Sequence, residues 1–323
     1  MFLAPSAYLA TAAGTVGKAS DLLPPRFKDT PDPFVGSARQ AWNTLVGDED
    51  LECPASAIQR TVDNEACRTS FGRLLDGAKS ATSKARLLAA SAKGSADWLK
   101  AVPIAALGLK LDDRAVSVAV GLRLGSPVVA AHVCSCGTPV GTDGLHGLAC
   151  RRSSGRQIRH QLLNDIVFRA LKSTGFPSAK EPVGLDRGDG KRPDGITLIP
   201  WSGGKCLTWD VTCADTFAAS HVTLSSTKAG TAATHAETLK RRKYQALAQR
   251  FIFEPIAVET SGAMGECSSN FVSVLGAKIA ALTGDRRETS FLRQRISVAI
   301  QRGNAISVLG TFPRELSKDD DPD

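Results

Sequence analysis

Residues 194–211 carry the pattern that most limits the fold. Ile196 and Leu198 precede the turn signal Ser202-Gly203-Gly204, and Cys206-Leu207-Thr208-Trp209 follows it. Paired glycines between two strand-like runs call for a β-hairpin, because tight hairpin turns need positive φ at their centre. Asp194 flanks the first run and Asp210 lies within the second, in Trp209-Asp210-Val211-Thr212. Neighbouring strands lie about 4.8 Å apart, so the two carboxylates can share one site. A carboxylate inside an apolar strand is costly unless ligated or hydrogen-bonded. Asp194 and Asp210 are therefore candidate ligands for a hard divalent cation such as Mg²⁺, which prefers carboxylate oxygens and keeps several waters. Such an ion activates water and stabilises the leaving oxygen of a phosphodiester. That chemistry is a nuclease's, and a metal-dependent nuclease is the expectation.

The elements around the hairpin make the expected fold class α/β. Ser153 or Ser154 opens an amphipathic helix with Ile158, Leu162, Leu163, Ile166, Val167, Ala170 and Leu171 as its buried stripe, and Gly175 ends it. Arg156, Arg159, His160 and Lys172 are assigned to its other faces. A short strand is expected at 179–183, carrying Glu181, and a helix at about 229–249. A strand through Phe251, Phe253, Ile256 and Val258 follows, then helices near 271–282 and 289–302. From 154 to 260 the order is helix, strand, strand, strand, helix, strand. Upstream, 36–130 shows helical spacing, with Asp112-Asp113 as the cap of its last helix. Residues 1–35 read as an irregular lead-in and 311–323 as a disordered acidic tail.

Between these regions lies Cys134-Ser135-Cys136, then His146, then Cys150. Three thiolates and an imidazole form a suitable tetrahedral set for structural zinc, and the glycines among them suit a loop folded around an ion. A single residue inside Cys-x-Cys is a tighter bite than usual, and His132 is the second-choice nitrogen ligand. The expected zinc knuckle spans 131–152, followed by the catalytic domain at 153–310. Thiols used in this way imply a reducing compartment. No Lys or Arg precedes Lys18, and Pro5 interrupts the apolar start, so no signal peptide is expected. No uninterrupted run of eighteen apolar residues exists, which excludes a spanning helix.

The formal net charge of +8 favours an anionic partner. Ten Lys/Arg against four Asp/Glu between 151 and 192 concentrate that charge just before Asp194. Arg151, Arg152, Arg156, His160, Lys191 and Arg192 are the candidate DNA-holding residues, a track for phosphates. Phosphodiester cleavage also needs a cation to orient water or stabilise the phosphate. Thr212 stands where many such enzymes place a lysine. Lys240 or Lys243, three apart on one helix face, can supply the charge instead. Glu181 is a third candidate acid and Asp165 its rival.

Taken together, Cys134/Cys136/His146/Cys150, Arg192-Pro193-Asp194, Trp209-Asp210-Val211-Thr212 and Lys240-Arg241-Arg242-Lys243-Tyr244 resemble the restriction-like endonuclease region of non-LTR retrotransposon polyproteins. That region belongs to the PD-(D/E)XK nuclease superfamily and follows the reverse transcriptase. The resemblance covers roughly residues 95–310 and implies an αβββαβ restriction-endonuclease-like core behind a CCHC knuckle. It further implies Mg²⁺-dependent nicking of duplex DNA to prime reverse transcription, and a nuclear location. The family's downstream lysine maps onto Lys243, with Lys240 its companion. DNA and element RNA are the implied partners. Fifteen residues separate Asp194 from Asp210, slightly more than the family's usual spacing. No aromatic-Ala-Asp-Asp polymerase signature is present, so a reverse transcriptase would come from another chain or from sequence outside this one. The competing expectation is a DNA-binding remnant that has lost its chemistry.

Overall fold

The computed structural model describes residues 37, 40–44, 59–185 and 192–312. The expected lead-in, Lys191 and residues 313–323 of the acidic tail lie outside the described residues. The chain divides into two compact units, residues 1–78 and 79–323. In the first, residues 40–44 are helical around a buried Trp42, and α1 spans Gln59–Asp76.

The second unit is mixed α/β. Its helices are α2 (Ala81–Ser91), α3 (Asp113–Leu124), α4 (Leu145–Ala149), α5 (Gly155–Ser173), α6 (Val222–Ser225), α7 (Thr231–Lys243), α8 (Glu266–Thr283) and α9 (Glu288–Leu309). A two-stranded sheet pairs β1 (His132–Val133) with β2 (Pro139–Val140). A four-stranded sheet runs β3 (Ser178–Lys180), β4 (Gly195–Thr197), β5 (Leu207–Ala214), β6 (Ile252–Glu259). Its first two pairings are antiparallel. The β5–β6 pairing is parallel, reached by a crossover through α6 and α7. β6 is an edge strand, which accommodates Pro255 and its missing donor.

The hairpin forms where its glycines require it. Gly203 and Gly204 have φ of 54° and 73°, and Ser202 bridges Lys205. Gly195 pairs with Trp209, whose indole lies over it so closely that a Cβ there would meet the ring. Trp209 is wholly buried, and its Nε1 donates to Asn164 Oδ1 of α5 at 2.8 Å. It sits in a core built from Leu163, Val167 and Leu171 of α5, Leu207 and Val211 of β5, Ile256 and Val258 of β6, and apolar residues of α8 and α9. A smaller cluster joins Val118 of α3 and Leu148 of α4 to Val308 of α9, seating the knuckle on the last helix.

Several sequence expectations need adjusting. The strand read at 179–183 ends at Lys180, because Glu181 takes φ of 47° and leaves the extended region. The helix read at 229–249 stops at Lys243, and a single 3₁₀ turn covers Leu247–Gln249. The last helix continues past Arg302 to Leu309, since Ala305 and Val308 pack against α3 and α4. Arg159, assigned to an exposed face, is buried. It lies four residues before Leu163 on the inward stripe, donating to Ser307 Oγ (2.6 Å), Asn304 Oδ1 (3.3 Å) and the Leu148 carbonyl (2.7 Å). Asp112, by contrast, caps α3 as expected, its Oδ1 accepting from Ala115 N at 2.8 Å.

Two buried glutamates hold the elements that carry the site. Glu259, at the end of β6, accepts from the amides of Ala232 and Ala233 and so caps α7. Glu237, on α7, accepts from the amides of Cys267 and Ser268 and caps α8. Both helices start at a glycine N-cap with no side-chain acceptor of its own, and a carboxylate at a helix N-terminus also complements the dipole. The rotational setting of α7 over β5 follows from these ties.

Candidate functional site

The hairpin brings Asp194 beside Asp210. Asp194 directly precedes β4; its amide donates to the Trp209 carbonyl (2.9 Å), and its Oδ2 accepts from Val211 N (2.6 Å). The carboxylate of one acid thus reaches the peptide that follows the other. His160 of α5 meets the same Asp194 Oδ2 through Nε2 at 3.1 Å. Burial is the larger penalty on Asp210, whose side chain is 4% exposed. Its pKa is raised first by desolvation and further by the charge of Asp194, against the lowering effect of Lys240 and Lys243. The His160 imidazole is pushed up chiefly by its hydrogen bond to Asp194, with burial opposing.

Helix α7 supplies the positive groups. Lys240 forms an ion pair with Asp210 Oδ2. Tyr244, one turn on and fully buried, shares its single hydroxyl proton between the Arg192 carbonyl (2.8 Å) and Asp210 Oδ1 (3.1 Å). It thereby links Asp210 to the Arg192-Pro193-Asp194 segment. Lys243 Nζ donates to the Tyr244 hydroxyl at 2.7 Å. The helix therefore sets Lys240 against the acid and Lys243 one step behind, where the resemblance placed the principal role on Lys243.

The other candidates fall differently. Glu181 donates its amide to the Asp194 carbonyl (3.0 Å), yet its carboxylate is mostly exposed and pairs with Arg192. Asp165 is engaged by Lys180 and by Arg169. Arg151, Arg152 and Arg156 are exposed, and Arg152 also donates to the Ser135 carbonyl (2.7 Å). Arg156 stands four residues before His160, so one face of α5 carries a cation toward Asp194. His160 itself is held on the acid, away from the phosphate-track role read for it. Tyr244 entered the sequence reading only as the end of the Lys240–Tyr244 run, without a role of its own. Its signal was its place four residues after Lys240, which puts both on one face.

Just before the N-terminus of α5 the four candidate zinc ligands converge. Cys134, Cys136, His146 and Cys150 present ligand atoms all within 4.8 Å of one another, a set that could hold a metal ion and suits zinc. Cys134 Sγ lies 3.8 Å from Cys150 Sγ, and Cys136 Sγ lies 3.3 Å from His146 Nε2. The β1–β2 turn and α4 carry the ligands, as metal knuckles do. Hydrogen bonds from Thr138 hold the Cys136 thiol down to about 6, and burial pushes that of Cys150 up. His132 takes no part. Its Nε2 meets Thr311 Oγ1 (2.9 Å), and its ring stacks on Phe312.

No family profile and no curated protein sequence matches the chain. No helix among the described residues is long and apolar enough to cross a membrane.

Proposed function

We propose that the second unit is a metal-dependent DNA endonuclease with an αβββαβ restriction-endonuclease-like core formed by α5, β3, β4, β5, α7 and β6. The observation that carries this reading is the convergence of Asp194, Asp210 and Lys240, two acids from adjacent strands with a lysine from the crossover helix. The donor set fits Mg²⁺. It offers hard carboxylate oxygens, one oriented by a backbone amide, the other desolvated by burial. When bound, the ion would supply Lewis-acid polarisation of the scissile phosphate and an activated water.

The chain's own groups divide the remaining work. Asp194 and Asp210 would hold the ion. Val211 N and His160 fix the Asp194 carboxylate, and Tyr244 fixes that of Asp210. Lys240, beside Asp210, would offset charge developing on the phosphate, with Lys243 adding to the local field. Arg151, Arg152, Arg156 and Arg192 supply positive surface for the duplex, and the zinc-type knuckle anchors the first two on α9.

The test is a plasmid-nicking assay with Mg²⁺ or EDTA. Parent protein should nick only with Mg²⁺, and Asp194→Ala and Asp210→Ala should each lose at least a hundredfold in rate. Acid variants that cut as fast as the parent would refute the assignment. Salt-sensitive DNA binding with no cleavage by any form would instead identify a DNA-binding remnant. The Lys240–Asp210 pair, which neutralises the site internally, is the observation that favours this second reading. A place beside a reverse transcriptase in target-primed synthesis, in the nucleus and with element RNA as a further partner, extends the proposal along the resemblance.

A further inference from the structure

Helix α7 shows a second cationic face that the acid pair does not use. Lys240 and Tyr244 point to Asp210, whereas Arg241, Arg242 and Gln245 line a groove of about 570 Å³ together with Lys205, Phe251 and Phe253. The opposite wall is the start of β5 and β6, so the groove lies at the end of the sheet. Lys205 precedes Asp210 by five residues of extended chain, or about 16 Å at strand rise. Groove and acid pair are thus neighbours along one helix and one strand.

The lining has a definite chemistry. Arg242 is exposed and forms no ion pair among the described residues. Lys205 spends one donor on the Gln249 carbonyl (3.0 Å), and two remain. Arg241 contacts Cys267 Sγ at 3.4 Å through one Nη, leaving the rest of its fork toward the groove. Glu254, whose charge reaches Arg241, is half-buried and outside the lining; burial raises its carboxyl to about 7, which weakens any competition with an incoming anion. Phe251 is half-buried beside these cations, with the Arg250 guanidinium 5.6 Å from its ring centre. Three cations and a half-buried aromatic ring lining one groove suit a phosphate with an unpaired base beside it. A carboxylate-bearing peptide would use the cations but not the ring. The volume matches sites that hold one small-molecule-sized group, far less than a duplex requires.

We propose that this groove is a subsite for single-stranded nucleic acid, with a phosphate held by Lys205, Arg241 and Arg242 and a base against Phe251. A strand leaving the acid pair along α7 would enter it, so the inference rests on the nucleic-acid reading of the site, though not on cleavage.

The experiment is fluorescence anisotropy of full-length, zinc-loaded protein in buffer without Mg²⁺ or chelator, so that the proposed cleavage does not interfere. The probes are a short labelled single strand, the same sequence as duplex, and a labelled polyglutamate. Arg242→Ala and Lys205→Ala should each lower the log–log salt slope for the single strand by about 0.7. Phe251→Ala should weaken single-strand binding roughly 5- to 150-fold while hardly changing the slope. Because Phe251 is partly packed, the two exposed cation variants keep the test decisive if that protein misfolds. Unchanged single-strand affinity and slope in both would overturn the proposal. So would losses confined to the duplex, or equal affinity for polyglutamate. A protein that never nicks plasmid but shows the expected single-strand losses would retire the nuclease and leave the groove standing.

Discussion

Replacing Tyr244 by Phe isolates the hydroxyl that joins the two halves of the acid site. The ring is fully buried and packs 4.8 Å from the Phe253 ring centre, and phenylalanine keeps that packing. The single hydroxyl proton, shared between the Arg192 carbonyl (2.8 Å) and the Asp210 carboxylate (3.1 Å), disappears, and Lys243 loses its acceptor. A hydrogen bond to a charged group contributes about 1.5–3 kcal/mol, so the loss should be about 1.5–3 kcal/mol. For a unit the size of residues 79–323, that corresponds to a fall in Tm of about 3–12 °C. Removing a hydrogen bond that orients a metal-ligating carboxylate typically costs 10–100-fold in metal affinity. The Mg²⁺ concentration for half-maximal nicking should rise by about that factor, with the rate at saturating Mg²⁺ much less affected. Thermal melting and a Mg²⁺ titration of nicking read the two effects separately. If Tm and the Mg²⁺ midpoint both match the parent, Tyr244 does not bridge Asp210 to the Arg192 segment and the site as described is wrong.

Lys240→Ala should be worse than Lys243→Ala both in nicking and in Tm, because it leaves Asp210 buried without its ion-pair partner, a loss of about 3–5 kcal/mol in comparable buried pairs; equal effects would return the leading role to Lys243. Asp210→Asn should abolish nicking, and its Tm relative to the parent's should rise as pH climbs towards neutral. The folded pKa of Asp210 is raised, so the native state binds the extra proton and stability falls as pH climbs through that region; the gain should shrink in acid, and a gain that grows instead would refute the stated burial. Glu254 follows the same sign. Its carboxyl is raised from 4.5 to about 7, so ionising it costs up to about 3 kcal/mol, and Glu254→Gln should raise Tm at pH 8 but not at pH 4. Zinc removal by a strong chelator should lower Tm. The drop should fall short of the roughly 10 kcal/mol seen in isolated zinc modules, because Ser135, whose amide donates to the Thr311 carbonyl (3.3 Å), and buried Leu148 keep the loop tied to its neighbours. A protein purified without stoichiometric zinc, and indifferent to chelator, would remove the knuckle.

What the sequence showed and what it hid divide along a physical line. Features set by local chemistry were readable. The paired glycines fixed the 202–205 turn, Asp112 its cap, and the spacing from Cys134 to Cys150 a set of ligands that the fold gathers within 4.8 Å. Features set by what packs against an element were not. A glycine at 303 and an asparagine at 304 argue for ending the last helix early, yet burial of Ala305 and Val308 outweighs their weak propensity and carries it to Leu309. Arg159 looks solvated until Asn304 and Ser307 are brought to it by that same extension. The choice between Lys240 and Lys243 is the sharpest case, because both satisfy the basic-residue pattern and only the roll of α7 separates them. That roll is set by Glu259 of β6 at one end and Tyr244 at the other, contacts that only the packing of the helix on the sheet brings about. The sequence did leave a trace of this dependence. Gly230 and Gly265, at the N-caps of α7 and α8, offer no acceptor to the first-turn amides. A helix that begins in the protein interior without its own cap must borrow one, and the two buried glutamates that answer this need also aim the lysine at the acid pair.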